Sequence, residues 1–189
     1  MPDTPHKSEE VLTSDPMVKA FFPPITEKFK KIADENATGT SIPVLEFVAA
    51  IEPFSEFYGI LGTVFLIAKA DLDNHISVVR GNVSDESATF DEVFKNESTK
   101  FTTRPYYNDD GSTASAAYWL CNTCEYLAKI LSIMAENPDM EIAQASIDGY
   151  EVTLKLHHGF MLQTMFAGFF RALAPYRVDV CVQLHEKGD

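Results

Sequence analysis

The stretch KADLDNHISVVR, residues 69–80, sets Asp71, Asp73, Asn74 and His75 within a few positions of one another. Carboxylates, an amide and an imidazole so close could hold a metal, exchange a proton, grip a polar ligand or simply face water. On a helix, Asp71 and His75 are four apart and share a face, and Val78 lies a turn further along it. Asp73 is rotated from Asp71 by about 200°, and Asp73 and Asn74 are read as solvated neighbours. A metal set therefore loses a ligand to geometry, and no His-x3-His pair stands nearby. A carboxylate orienting an imidazole stays open as acid/base chemistry. No nucleophile motif, glycine-rich phosphate loop or oxyanion signature accompanies it.

Two further places could recognise a ligand. Trp119, the only tryptophan, lies in AAYWLCN; it is either a core residue or a platform on which an apolar ligand face stacks. His157 and His158 open the run HHGFMLQTMFAGFF, apolar nearly all round. Such a run suits a buried helix, while its Met and Phe side chains also suit a cavity that accommodates alkyl chains. The CNTC spacing of Cys121 and Cys124 lacks a second CxxC and a preceding strand, so the two are read as small, half-buried helix residues. With Cys181 the cysteines number 3, which does not make a disulfide framework.

The elements that must position these groups read as helices. MVKAFFPPITEKFKKIADEN follows Asp15 and Pro16 as a capped start, with Pro23 and Pro24 expected to break or bend it. SIPVLEFVAAIEPFSEFYGILG reads as one helix opened by Ser41, with Pro43 in its first turn and Val44, Phe47, Val48 and Ile51 at helical spacing. TVFLIAKADLDNHISVVRGNVS is a third, ending near Gly81. A polar connection with a short helix at about residues 90–95 leads to STASAAYWLCNTCEYLAKILSIMAE, a stop at NPD, and a long helix expected to break near Gly149 or Gly159. No segment alternates with period two, so the fold class is all-α. Residues 1–14 read as a flexible tail and 15–189 as one helical domain.

Composition narrows the function classes. With 46% hydrophobic residues and a net charge of −13, the chain can build a core but lacks the clustered cations that nucleic acids or anionic bilayers select. Any membrane contact would rest on apolar and aromatic groups. The polar N-terminus has no secretory layout and no run reaches spanning length, so a soluble, cytoplasmic protein is expected.

Taken in order, KADLDNHISVVR, YWLCNTCEYLAKIL and YEVTLKLHHGFMLQTMFAGFFRALAPYR resemble the three signature helices of the glycolipid transfer protein family, over about residues 18–185. The resemblance implies a two-layer helical sandwich holding one sphingolipid, with its chains in an apolar tunnel and its headgroup at a polar surface site. It implies no enzyme activity, no metal and no cofactor. By matching position, Asp71 and His158 would clamp the ceramide amide and Trp119 would stack on the sugar. His75 would add a polar contact, and Val78, Phe160, Met161, Met165 and Phe169 would line the tunnel. The expected partners are a sphingolipid, most of all a glycosphingolipid, and a transient membrane surface, with the protein monomeric.

The physical chemistry of such a site is consistent. Burying about 16 methylenes is worth on the order of 13 kcal/mol, but a bilayer offers the chains nearly the same environment. Selectivity then falls to the polar groups, and an acceptor for N–H plus a donor for C=O is the minimal complement of an amide. The chain departs from the family pattern at His75, where glycolipid binders carry Asn, and at Val78, where they carry Lys. The phosphate-binding branch has Arg where Trp119 and Ser115 stand, which disfavours a ceramide phosphate. The final helix of the family is expected to be missing. A sensor or adaptor that binds ceramide lipid and signals to a protein partner is the alternative, prompted by the acidic/Phe run IEPFSEFYG.

Overall fold

A computed structural model describes residues 18–36, 41–60, 62–100 and 109–173. The expected N-terminal tail, the Asp15 cap, Cys181 and the APY ending lie outside these residues. No β-strand occurs among the described residues; one isolated bridge joins Pro43 and Thr89. The helices are α1 (Val18–Glu35), α2 (Val44–Ile51), α3 (Pro53–Ile60), α4 (Leu66–Asn82), α5 (Phe90–Lys100), α6 (Thr113–Glu136), α7 (Ile142–Val152) and α8 (Phe160–Leu173). Short 3-10 turns at Thr63–Phe65 and Leu154–Leu156 precede α4 and α8.

The expected break in α1 does not occur: the helix continues through Pro23 and Pro24. Both prolines are exposed, and packing holds the flanking turns. Phe21 and Phe22 set their rings 6.2 and 5.6 Å from Phe57, and Ile25 is buried in the core. The break falls instead at Pro53, which divides the single helix read from residue 41 onward into α2 and α3. Proline has no N–H for the carbonyl four residues back. That carbonyl, of Ala49, accepts from Lys28 Nζ at 3.1 Å. Pro43, not Ser41, stands at the start of α2.

α5 runs five residues further than its expected short form. Its Glu97 carboxylate is buried and accepts from the backbone N–H groups of Thr113 and Ala114 at 2.6 and 3.0 Å. Those are unpaired donors of the α6 first turn, which Ser112 Oγ also caps. Asn82 at the end of α4 donates to the Gly111 carbonyl at 2.8 Å. The start of α6 is thus pinned from two sides. The break in the last long segment spans residues 153–159, on the Gly159 side. Gly149 stays inside α7, where a Cβ would meet Ile130 Cγ1 at 3.2 Å, so its role is close approach to α6.

The core joins two layers. α1, α2 and α3 pack together and onto α4; α4 lies along α6, α6 against α7, and α7 against α8. α8 returns to the Thr63–Phe65 turn, which follows Gly62 at φ 99°, a backbone conformation that favours glycine. Val44, Val48, Ile51, Leu72, Leu120, Leu127, Ile130 and Ile142 fill the interface between layers. Phe54 and Phe57 of the IEPFSEFYG run are core residues, which leaves that run without exposed Phe anchors for a partner.

Candidate lipid site

A cavity of about 400 Å³ opens between α4, α6 and the turn leading into α8. Asp71, His75, Trp119 and His158 all line it, and so does Met165. Helical spacing explains how each arrives. Asp71 and His75 sit one turn apart on α4, with His75 Nε2 3.4 Å from Asp71 Oδ1. The Asp71 side chain is 61% exposed at the mouth, while that of His75 is 12% exposed in the wall. His75 Nδ1 is buried with no hydrogen-bond partner among the described residues.

Trp119 is half-buried, with two imidazoles near its ring. The His75 ring lies nearly parallel to it at 6.5 Å, and the His158 ring is 5.8 Å away. His158 rests on an aromatic wall, 5.6 Å from Tyr150 and 5.1 Å from Phe166. Tyr150 Oη is 3.1 Å from His158 Nδ1. Burial and the adjacent Glu151 push the Tyr150 phenol up, and the phenol donates to Nδ1 in the tautomer that carries its proton on Nε2. That tautomer leaves the Nε2–H free to donate elsewhere. Burial lowers the His158 pKa from its ordinary value, Asp71 partly offsets this, and His157 adds to it. Its ring is therefore neutral at pH 7.

Several placements differ from the sequence expectations. Asn74 lines the cavity; three positions from Asp71, it shares the Asp71 face rather than turning away. Asp73 does turn away, and takes Lys69 at 2.6 Å. Phe160 and Met161 do not line the cavity. They form the first turn of α8, directly after the Leu154–Gly159 turns, and are each 85% exposed. Leu162, Met165 and Phe166, at helical spacing after them, face the cavity. Phe169 is half-buried with its ring 6.5 Å from Phe166, and Val78 packs on the core; neither lines the cavity. Tyr58, Asp110, Thr123 and Tyr126 line it without having been singled out. Thr123 and Tyr126 lie four and seven positions after Trp119, a helical stripe the sequence does display.

Charge and polarity define what the cavity can accept. Among its described lining residues there is no Lys or Arg; Asp71 and Asp110 are the formal charges. Among the described residues no His/Cys/Asp/Glu group could hold a metal ion. Cys124 is half-buried, and burial, with Cys121 adjacent, pushes its thiol up to about 12, so it is a poor thiolate nucleophile. No helix among the described residues is long and apolar enough to cross a membrane. The arrangement offers an acceptor (Asp71), a donor (His158 Nε2–H), an aromatic face (Trp119) and an apolar interior.

A family model described as "Glycolipid transfer protein (GLTP)" matches residues 42–186. The chain is similar to the "Glycolipid transfer protein" of Aureobasidium melanogenum, 25% identical over 168 residues, covering 87% of this chain and 78% of the relative. It is similar to "Glycolipid transfer protein 1" of Arabidopsis thaliana, 22% identical over 156 residues, 82% and 75% of the two chains. Among solved structures, a mutant of the accelerated-cell-death 11 protein of Arabidopsis, complexed with C12 ceramide-1-phosphate, superimposes with a TM-score of 0.74. That match is 20% identical and covers 85% of this chain and 78% of the other.

Proposed function

Since the chain belongs to the glycolipid transfer protein family, matched over residues 42–186, we propose that it carries a sphingolipid, preferentially a glycosphingolipid, between membranes without catalysing a reaction. The observation that carries this proposal is the convergence of Asp71, Trp119 and His158, from three separate helices and turns, at one cavity with an apolar interior. Asp71 accepts the ceramide amide N–H and His158 Nε2–H donates to its carbonyl. An amide entering an apolar pocket without these two partners would be penalised by a few kcal/mol. Trp119 supplies the stacking face for a sugar ring, and His75 and Asn74 supply side contacts for its hydroxyls.

Charge decides between headgroups. A phosphate brought beside Asp71 and Asp110 would meet repulsion, and among the described lining residues it finds no Lys or Arg as a partner. Lys69 offers no relief, because it is committed to Asp73 and to Ser55 Oγ at 2.7 Å. A neutral sugar donates its hydroxyls to the same carboxylates.

Membrane contact is carried by apolar groups beside the mouth. Ile67 and Leu162 line the cavity and are also exposed; Leu156, Phe160 and Met161 continue the exposed apolar surface along the turn and first helical turn of α8. Exposed apolar patches of this kind mark interaction surfaces, and in a chain of net charge −13 they dock by burial rather than by attraction to anionic lipid. Transfer of fluorescent glucosylceramide from donor to acceptor phosphatidylcholine vesicles tests the proposal. Transfer and a change in Trp119 emission are expected. Neither, with any sphingolipid in the vesicles, defeats it.

A further inference from the structure

Within its mainly apolar interior the cavity also carries hydroxyl-bearing side chains. Tyr58 from α3 and Thr123 and Tyr126 from α6 line it. Tyr58 and Tyr126 are each 1% exposed and Thr123 is 9% exposed. A pocket built only for alkyl chain would have Phe and Val at these places, since buried hydroxyls need partners. Tyr126 has a long bond of 3.4 Å to the Ser146 carbonyl. Among the described residues, the Tyr58 and Thr123 hydroxyls have no hydrogen-bond partner. Nor are their oxygens among the polar atoms sealed in protein without one, which are His75 Nδ1, Asn122 Nδ2 and Ser146 Oγ. Both side chains are closed off from bulk solvent and line the cavity.

Position along the cavity locates this polar floor. A rise of about 1.5 Å per residue places Thr123 roughly 6 Å and Tyr126 roughly 10 Å beyond Trp119 along α6. Tyr58 lies within electrostatic reach of both Tyr126 and Asp71, and burial, with Tyr126, Cys124 and Asp71, pushes its phenol well above the usual range. It is a permanent O–H donor. The amide clamp of Asp71 and His158 is at the outer end, so these hydroxyls face the first few carbons of the chains beyond the amide.

We propose that Tyr58 and Thr123, supported by Tyr126, form a specificity site for a ceramide carrying an extra hydroxyl on a chain carbon near the amide, either a 2-hydroxy acyl chain or a 4-hydroxylated sphingoid base. The inference rests on the cavity being a sphingolipid site. A chain hydroxyl both accepts from Tyr58 and donates to Thr123. A plain chain in the same place leaves both protein hydroxyls unpaired against methylenes, and sites built to bond a hydroxyl discriminate against the analogue that lacks it.

The test compares three glucosylceramides of equal chain length in phosphatidylcholine vesicles: unsubstituted, 2-hydroxyacyl and 4-hydroxysphinganine-based. Binding is read by Trp119 emission. The wild-type chain is expected to take at least one hydroxylated lipid about tenfold or more tighter than the unsubstituted one, as two added buried hydrogen bonds imply. Tyr58→Phe, which removes one of the two bonds, is expected to lower that ratio by about 2- to 12-fold. Thr123→Val provides the same comparison should Tyr58→Phe fail to fold by circular dichroism. Equal binding of all three by the wild-type chain overturns the inference while leaving the carrier function standing. A preference that survives both substitutions overturns the assignment to these residues. Binding of none of the three overturns the carrier function, and this inference with it.

Discussion

Removing the Asp71 carboxylate separates lipid recognition from folding. In Asp71→Val the acceptor for the amide N–H is lost, while a side chain that is 61% exposed leaves the core untouched. A hydrogen bond to a charged acceptor is worth about 1.5–3 kcal/mol, so glucosylceramide affinity should fall by roughly 10- to 150-fold. Asp71→Asn keeps an acceptor oxygen but loses the charge, and a neutral bond of about 0.5–1.5 kcal/mol remains. Its loss should be intermediate, around tenfold. Thermal unfolding should move by no more than about 0.5 kcal/mol in either variant. A second readout is independent of lipid. Asp71 raises the His158 pKa against the lowering effect of burial, so in both variants the His158 ring, followed by NMR, should titrate at lower pH than in the wild-type chain. Lipid affinity unchanged in Asp71→Val, with folding intact, would refute the role of Asp71 as the amide acceptor. An unmoved His158 titration would refute its electrostatic reach across the cavity.

Further outcomes follow from other groups. Because burial lowers the His158 pKa below its ordinary 6.5, the unfolded chain binds that proton more readily. The contribution of neutral His158 to stability is complete above pH 6.5 and is lost as pH falls through the folded value; urea midpoints and lipid affinity should both decline over that window, and a His158 that titrates above 6.5 by NMR excludes the account. Glu97→Ala removes the buried cap of α6, at a cost of about 2 kcal/mol, and should lower the melting temperature by roughly 4–8 °C, whereas an unchanged value would mean that Asn82 and Ser112 pin α6 by themselves. Replacing Phe160 and Met161, each 85% exposed, together by Ser should leave stability within about 0.5 kcal/mol but slow vesicle-to-vesicle transfer. Transfer at the wild-type rate would place the docking surface elsewhere.

What could be read from the chain alone follows from which physical signals are local. The helical assignment rests on spacing, and Val44, Val48 and Ile51 are buried where their period predicts. Asp71, His75, Trp119 and His158 stand out because carboxylate, imidazole and indole are uncommon in apolar helices, and the structure gathers them at one cavity. Asn74 was available to the same rule, since three positions on a helix share a face as well as four do.

The remaining differences depend on tertiary packing. An all-round apolar run such as FMLQTMF gives no indication which residues meet solvent; the turn at residues 153–159 decides it, exposing Phe160 and Met161 and turning Met165 and Phe166 inward. Pro23 and Pro24 are helix breakers by local energetics, yet rings packed on Phe57 keep α1 intact, while Pro53, with Lys28 serving the freed Ala49 carbonyl, does divide its helix. Tyr58 and Tyr126 show the limit most clearly. In sequence, a tyrosine within FSEFYGIL or CEYLAKIL has the pattern of an ordinary core aromatic, and its ring does pack in the core. Whether the hydroxyl at the far end meets protein or a void is decided by helices distant in the chain. It is the hydroxyl, rather than the ring, that distinguishes one lipid chain from another.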